Sequence, residues 1–164
     1  MNDEKGQLSG EYMLLVGSLI VVLMISIFLI ANENELNIAM AAAKSGADEG
    51  VASSSSAIYP KETFNEYDDM EGLKHPYSVS IVNVSYNSSG IDENYGKQKI
   101  QFKVYAKASV DYNKKELDSI GDRINYNLRK SVAMSFNTVD STNKLYNPVF
   151  SNNYVFTTAN VVWV

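Results

Sequence analysis

A long apolar segment near the N-terminus is the strongest pattern in the chain. No residue from Tyr12 to Ala31 carries a charge, and most of these twenty positions are Leu, Ile, Val, Met or Phe. A helix of that length spans roughly 30 Å, which is the thickness of the hydrocarbon core of a bilayer. Because the helix is apolar on every face, it lacks the polar face that a surface helix presents to water. The pattern predicts a helix that is surrounded by lipid or by other copies of itself.

The helical pattern continues after Ala31 with a different composition. Residues 32–57 are polar at first and then rich in Ala, and Pro60 ends the helix. The positions available for an apolar face are Leu36, Ile38, Met40, Ala43, Ala47 and Val51. We therefore predict one long helix whose second half, over 32–58, is amphipathic and packs against a sheet.

Alternating apolar and polar residues predict a β-hairpin. Residues 98–110 place Ile100, Phe102, Val104, Ala106, Ala108 and Val110 on one face. Residues 77–86 supply the second strand, and its alternation slips between Ile81 and Val82, which indicates a bulge. The connection over 87–96 is predicted to be an exposed loop. A hairpin alone is marginally stable in water, so this sheet needs a helix as a partner layer.

A second helix and a last strand complete the predicted fold. Asn113 and Glu116 resemble a capping box. Leu117, Ile120, Ile124 and Leu128 then recur at helical spacing through about Ala133. The charged residues of this helix are predicted to be solvated: Asp118, Asp122, Arg123, Arg129 and Lys130. Residues 154–164 are predicted to tie the C-terminus into the sheet. The predicted fold class is α+β, with the long N-terminal helix packed on a small antiparallel sheet and one additional amphipathic helix.

Composition limits the chemistry of the chain. It has a net charge of −5 and no Cys, so disulfides and thiolate metal sites are excluded. An acidic body argues against a general nucleic-acid surface. The single histidine, His75, lies beside Pro76, and neither a phosphate-binding Gly-Lys-Ser/Thr loop nor a His pair at metal spacing occurs. We expect neither an enzyme nor a bound cofactor.

The connection over 59–76 has turn chemistry and is predicted to be a long loop. Its acidic residues are Glu66, Asp68, Asp69 and Glu71. These carboxylates invite a calcium-site interpretation, but they lack the alternating ligands and the placed Gly of a known calcium loop. A solvated acidic loop is the simpler expectation, and we predict no metal.

Two sequences in the first hairpin match the acceptor pattern for N-glycosylation. They begin at Asn83 and at Asn87. Asn87 falls in the predicted connection and Asn83 in the middle of a strand, so Asn87 is the better candidate acceptor.

The residues before the apolar segment form a distinctive junction. The sequence from Lys5 to Leu15 combines a Gly-Gln pair, a Ser and a Glu ahead of the apolar run. It resembles the class III signal peptide of archaeal type IV pilins, in the variety that keeps Gln after cleavage. The resemblance implies that a prepilin peptidase cuts between Gly6 and Gln7, and that Glu11 becomes the fifth residue of the mature chain. The acidic pair Asp3-Glu4 departs from the more basic leaders usual in that family.

Glu11 links this junction to a mechanism of assembly. A carboxylate at the edge of an apolar helix is costly unless it is paired. The resemblance implies that its partner is the new amino group of Gln7 on a neighbouring subunit. Two alternatives stay open: Glu11 faces lipid headgroups, or Gln7 cyclises and loses its charge.

Together, these features divide the chain into a removed leader (1–6), an apolar helix (7–31), its amphipathic continuation (32–58) and an extracellular head (59–164). The residues expected to line the membrane or a filament core are Tyr12, Leu14, Leu15, Leu19, Ile20, Val22, Leu23, Ile27, Leu29 and Ile30.

The resemblance implies a structural subunit, major or minor, of a cell-surface filament that serves adhesion. Its precursor would cross the cytoplasmic membrane once, and its partners would be copies of itself, other pilins and the prepilin peptidase, with no nucleic acid. The alternatives are a membrane-anchored extracellular binding protein and a pseudopilin of a secretion system.

Overall fold

A computed structural model describes residues 3–52 and 78–164, with side chains described from Gly10 onwards. It contains two compact units, residues 1–36 and residues 37–164. One α-helix, α1 (Asp3–Ala52), begins in the first unit and ends in the second. The predicted long helix is confirmed as far as Ala52, and residues 53–58 of the prediction lie outside the described residues.

The part of α1 in the second unit buries small residues. Its buried face consists of Ala39, Ala42, Ala43, Gly46, Ala47 and Gly50. Of the predicted apolar face only Ala43 and Ala47 are buried, whereas Ile38 is 39% exposed and Leu36, Met40 and Val51 are half-buried. The prediction of this face was therefore wrong at four of six positions. The second helix of the chain lies so close to this face of α1 that only Ala and Gly fit between the two backbones.

Five strands form one sheet. They are β1 (Val79–Asp92), β2 (Lys97–Ala108), β3 (Val149–Phe150), β4 (Tyr154–Thr158) and β5 (Val162–Trp163). The order is β1-β2-β4-β3, and β5 also pairs with β2. The α+β class is confirmed, but the sheet is mixed: β1–β2 and β3–β4 are antiparallel, while β2–β4 and β2–β5 are parallel. Parallel pairing follows because a helix carries the chain from the end of β2 back to the start of β4.

The β1–β2 hairpin confirms the predicted bulge. The pairing register shifts between Ile81 and Asn83. The connection is shorter than predicted, because β1 continues to Asp92 and only 93–96 form the turn. Ile100, Phe102, Val104 and Ala106 are buried as predicted, while Ala108 is half-buried and Val110 exposed at the end of the pattern.

The second helix, α2 (Lys114–Ser135), has the predicted capping box. The backbone N–H of Glu116 donates to Asn113 Oδ1 at 2.9 Å, and that of Asn113 donates to Glu116 Oε2 at 2.8 Å. Its apolar face buries Ile120, Ile124, Leu128 and Val132. Phe156 of β4 stacks between Phe102 and Phe136, with ring centroids 5.6 and 5.7 Å away. These contacts place the core between α2 and one face of the sheet.

Two arginines of α2 contradict the prediction of a wholly solvated charge pattern. Arg123 and Arg129 are buried, whereas Asp118 and Lys130 are exposed as predicted. Arg129 donates from Nε to the backbone oxygen of Leu145 at 3.0 Å and from Nη1 to Thr158 Oγ1 at 2.5 Å. The guanidinium thus satisfies polar groups of the loop after α2 and of β4, which compensates for its burial.

The C-terminus is tied into the sheet as predicted, through two short strands in place of one. Between β4 and β5 the N–H of Ala159 donates to the backbone oxygen of Phe102 at 2.8 Å. After β5 the N–H of Val164 donates to the backbone oxygen of Ala106 at 2.9 Å. Residues 154–164 therefore follow β2 along most of its length.

Candidate functional site

The apolar half of α1 is the candidate functional segment of the first unit. All ten residues predicted to line a membrane or filament core are exposed, from 50% for Ile20 to 77% for Leu14. Soluble monomers rarely expose a contiguous apolar surface of this extent to water. Among the described residues this is the one helix long and apolar enough to cross a membrane, and none of its apolar window is buried. Its length and composition are compatible with a membrane anchor.

The polar side chains inside the apolar segment satisfy their own hydrogen-bonding needs. The hydroxyl of Ser18 donates to the backbone oxygen of Leu15 at 2.8 Å, and that of Ser26 donates to the oxygen of Val22 at 2.9 Å. Such bonds to the preceding turn remove the cost of placing a hydroxyl in a medium without water. These two serines therefore do not prevent α1 from lying in lipid or in a protein core.

The predicted cleavage and assembly residues share the first turns of α1. Gly6 and Gln7 lie in helical backbone, close to the helix start at Asp3. Glu11 lies one turn beyond Gln7 along α1, and its side chain is exposed. The structure thus brings Gln7 and Glu11 to neighbouring positions within one chain.

Small residues fasten the second half of α1 to α2, within the second unit. A Cβ atom on Gly46 would lie 2.6 Å from the backbone oxygen of Asn127 and 2.8 Å from the Cα of Leu128. A Cβ on Gly50 would lie 2.8 Å from the Cα of Ile124. As α1 advances from Gly46 to Gly50, its contacts move back along α2, so the two helices run antiparallel. The small residues of this half of α1 predicted a close contact with a sheet, but at Gly46 and Gly50 the close neighbour is α2.

Both candidate glycosylation sites lie on β1. The side chains of Asn83 and Asn87 are exposed, and their strand is at an edge of the sheet. Asn83 pairs with Tyr105 and Asn87 with Gln101, so both point away from the buried face of β2. Asn87 lies in a strand and not in the predicted connection, and both acceptors are accessible.

The acidic loop and His75 lie outside the described residues. The predicted loop over 59–76 includes Glu66, Asp68, Asp69 and Glu71, and all of these fall between α1 and β1 in the part that is not described. Within 10–52 and 78–164, no group of three or more His, Asp or Glu residues could hold a metal ion.

No protein-family model, curated protein or solved structure matches the chain. A functional assignment therefore rests on the residues themselves.

Proposed function

We propose that this chain is a subunit of a type IV pilus-like surface filament, assembled through the apolar half of α1. The observation that carries the proposal is that α1 continues from an exposed apolar segment into a segment whose Ala and Gly residues are packed in the head. A surface that is apolar on all sides needs lipid or other copies of itself around it. The resemblance of the Gly6–Gln7 junction to pilin precursors favours copies of itself.

The proposed assembly step uses the charges created at the start of the mature chain. Cleavage after Gly6 frees the amino group of Gln7, and this amine pairs with Glu11 of a neighbouring subunit. In a low-dielectric core two opposite charges attract more strongly than in water. Burying both carries its own desolvation cost, so the pair favours axial register more than stability. Because each subunit offers one amine and one carboxylate to different neighbours, the contact is heterologous and builds a filament where the rotation between subunits does not close into a ring.

The apolar helix then moves from lipid into the filament core. Both environments are apolar, so the transfer leaves the burial of residues such as Leu19 and Ile27 almost unchanged. The heads are proposed to coat the filament and to carry its contacts with surfaces. No cofactor and no catalysis by the chain itself are required.

Charge reversal at Glu11 tests this mechanism. We expect Glu11→Lys to insert into the membrane but to lower the yield of sheared filaments roughly a hundredfold or more, because an uncompensated buried charge costs about 3–5 kcal/mol. Glu33→Lys is the matched control, since Glu33 is an exposed acid of α1 beyond the apolar segment. It should assemble normally.

The same measurement separates the alternatives. Equal amounts of membrane-inserted protein and unchanged surface material for both variants would favour a membrane-anchored binding protein. Chain confined to the cell envelope, with filaments never recovered from the wild type, would favour a pseudopilin.

A further inference from the structure

The side of β2 opposite the buried Phe102 collects positive charge in an otherwise acidic chain. The charged residues of the five strands are Lys97, Lys99, Lys103, Lys107 and Asp92. Four lysines against one aspartate give the strands a net charge of +3, while the whole chain has −5. All four lysines stand at odd-numbered positions of β2, which places them on the side opposite the buried Phe102. The charge is therefore concentrated on one side of one strand.

Three of these lysines and their polar neighbours form a continuous surface. We define the lysine face as Lys99, Gln101, Lys103, Tyr105 and Lys107 of β2 with Ser85 of β1. Ser85 pairs with Lys103, so these two side chains share one side of the hairpin. Lys97 is excluded because its Nζ donates to the backbone oxygen of Ser151 at 2.5 Å and lies over the Phe150 ring.

The charges of the lysine face are only partly compensated. Lys99 Nζ lies 3.6 Å from Asp92 Oδ2. Lys103 and Lys107 are exposed, and within the described residues neither has a carboxylate at salt-bridge distance. Lys103 Nζ lies 5.4 Å from the centre of the Tyr105 ring, which holds the ammonium group above the sheet. Among the described residues, these two cations at the centre and one end of the face therefore have no carboxylate beside them.

We propose that the lysine face binds an acidic polysaccharide, a sugar chain that carries carboxylate or sulfate groups at regular intervals. Successive lysines four positions apart on β2 lie about 13 Å from one another, given about 3.3 Å per residue. A polymer with one charge per one or two sugars matches such sparse cations. Its hydroxyls find partners in the side chains of Gln101 and Ser85 beside the lysines, and Tyr105 offers a ring edge for sugar contact.

A nucleic acid fits the same face less well. Its phosphates follow one another more densely, at about 3.4 Å per strand in a duplex, so the acidic remainder of the chain repels them more strongly than it repels a sugar polymer with fewer charges per length. A second copy of this chain that presented the same face would oppose its own lysines. The sugar polymer is therefore the partner with the best charge match. An acidic polysaccharide would be a partner for the surface contacts proposed for the heads. This inference rests on the proposed function only in that the head must lie outside the cell.

Binding of short polygalacturonate to the detergent-solubilised full chain tests the inference without requiring filaments. The protein is produced in a host without N-glycosylation, so Asn83 and Asn87 stay bare. The test variant is Lys103→Gln/Lys107→Gln. The matched control is Lys114→Gln/Lys115→Gln, which removes two exposed lysines at the start of α2. Unfolding followed by the fluorescence of Trp163 verifies that both variants fold.

The wild type should bind polygalacturonate but not neutral dextran, with an affinity that falls as salt is added. The first variant should bind roughly two- to thirtyfold more weakly, because each exposed ion pair contributes modestly. The control should stay within about twofold of the wild type. Equal weakening in both variants, tighter binding of single-stranded DNA than of polygalacturonate, or self-association that only the first variant abolishes would each overturn the inference. A failure to form filaments in cells, with polygalacturonate binding intact, would overturn the proposed function alone.

Discussion

Gly46 lies so close to Asn127 that a Cβ on Gly46 would fall 2.6 Å from the Asn127 backbone oxygen. The Cβ added to Gly46 would also lie 2.7 Å from the Cβ of Ser131. Two backbone segments and a rigid Cβ cannot all move aside, so the antiparallel contact of α1 and α2 requires glycine at this position. The contact joins the helix that carries the apolar segment to the core of the head.

Gly46→Ala is therefore expected to destabilise the head. We expect the free energy of unfolding to fall by about 1–3 kcal/mol, because overpacking forces the helices apart and outweighs the gain in helix propensity. Denaturant unfolding of the solubilised chain, followed by the fluorescence of Trp163, measures the change. Gly17→Ala is the matched control, since nothing lies within 4 Å of the added Cβ there. Equal stability of the two variants would mean that the helices are not in close contact.

The buried Arg129 gives a second test of the head. Arg129→Met keeps the length of the side chain but loses its bonds to the Leu145 oxygen and Thr158 Oγ1. The free energy of unfolding should fall by about 1.5–3 kcal/mol, because hydrogen bonds from a charged donor are lost. Lys130→Met, next along α2 and exposed, should change stability by less than about 0.5 kcal/mol. If both variants unfold at the same denaturant concentration, Arg129 is solvated and its bonds contribute nothing.

Tyr126 makes the head sensitive to alkali. Burial raises the pKa of Tyr126, and Tyr146 raises it further through charge repulsion and a hydrogen bond, while Arg129 acts in the opposite direction. Below pH 10 the phenol is protonated in both the folded and the unfolded chain, so the stability that it contributes is fully present. As pH rises past 10 the unfolded chain loses this proton first, and stability falls until the folded phenol also ionises.

Tyr126→Phe should therefore flatten the alkaline decline in the free energy of unfolding. Tyr86→Phe on β1 is the control, because its ring is exposed. Parallel curves for wild type and Tyr126→Phe between pH 9 and 11 would contradict the raised pKa.

The acceptor sites on β1 make a prediction about covalent modification. If the head is exported, Asn87 should carry a glycan, because its side chain is exposed on an edge strand. Ser89→Ala removes the acceptor pattern while keeping Asn87, so the extra mass of the intact chain should disappear. Ser88→Ala keeps the pattern and should keep the mass. Ser85→Ala tests Asn83 in the same way. A wild-type mass equal to that of the bare polypeptide would contradict both sites.

Local patterns predicted much of this fold. The apolar segment, the capping box of Asn113 and Glu116, the bulge near Ile81 and the buried residues of β2 all depend on neighbours along the chain. The parallel pairing of β4 with β2 depends on how α2 returns the chain, which local alternation does not encode.

The predictions that were wrong concern residues whose burial is decided by long-range contacts. Arg129 follows a solvated pattern along α2, but the loop at Leu145 covers it. Ile38 is a better apolar residue than Gly46, yet the close approach of α2 favours the smaller residue. The alternation along β2 places the lysines of the lysine face on one side of that strand. Which residue of β1 lies beside them follows only from the pairing register, which puts Ser85 opposite Lys103.

The most direct test of the proposed function is the N-terminal peptide and intact mass of protein sheared from the cell surface. The proposal predicts filaments whose chains begin at Gln7, free or cyclised, since cleavage after Gly6 precedes assembly. Uncut chain beginning at Met1 and found only in the membrane fraction would contradict it, and would leave α1 as a membrane anchor for a binding domain.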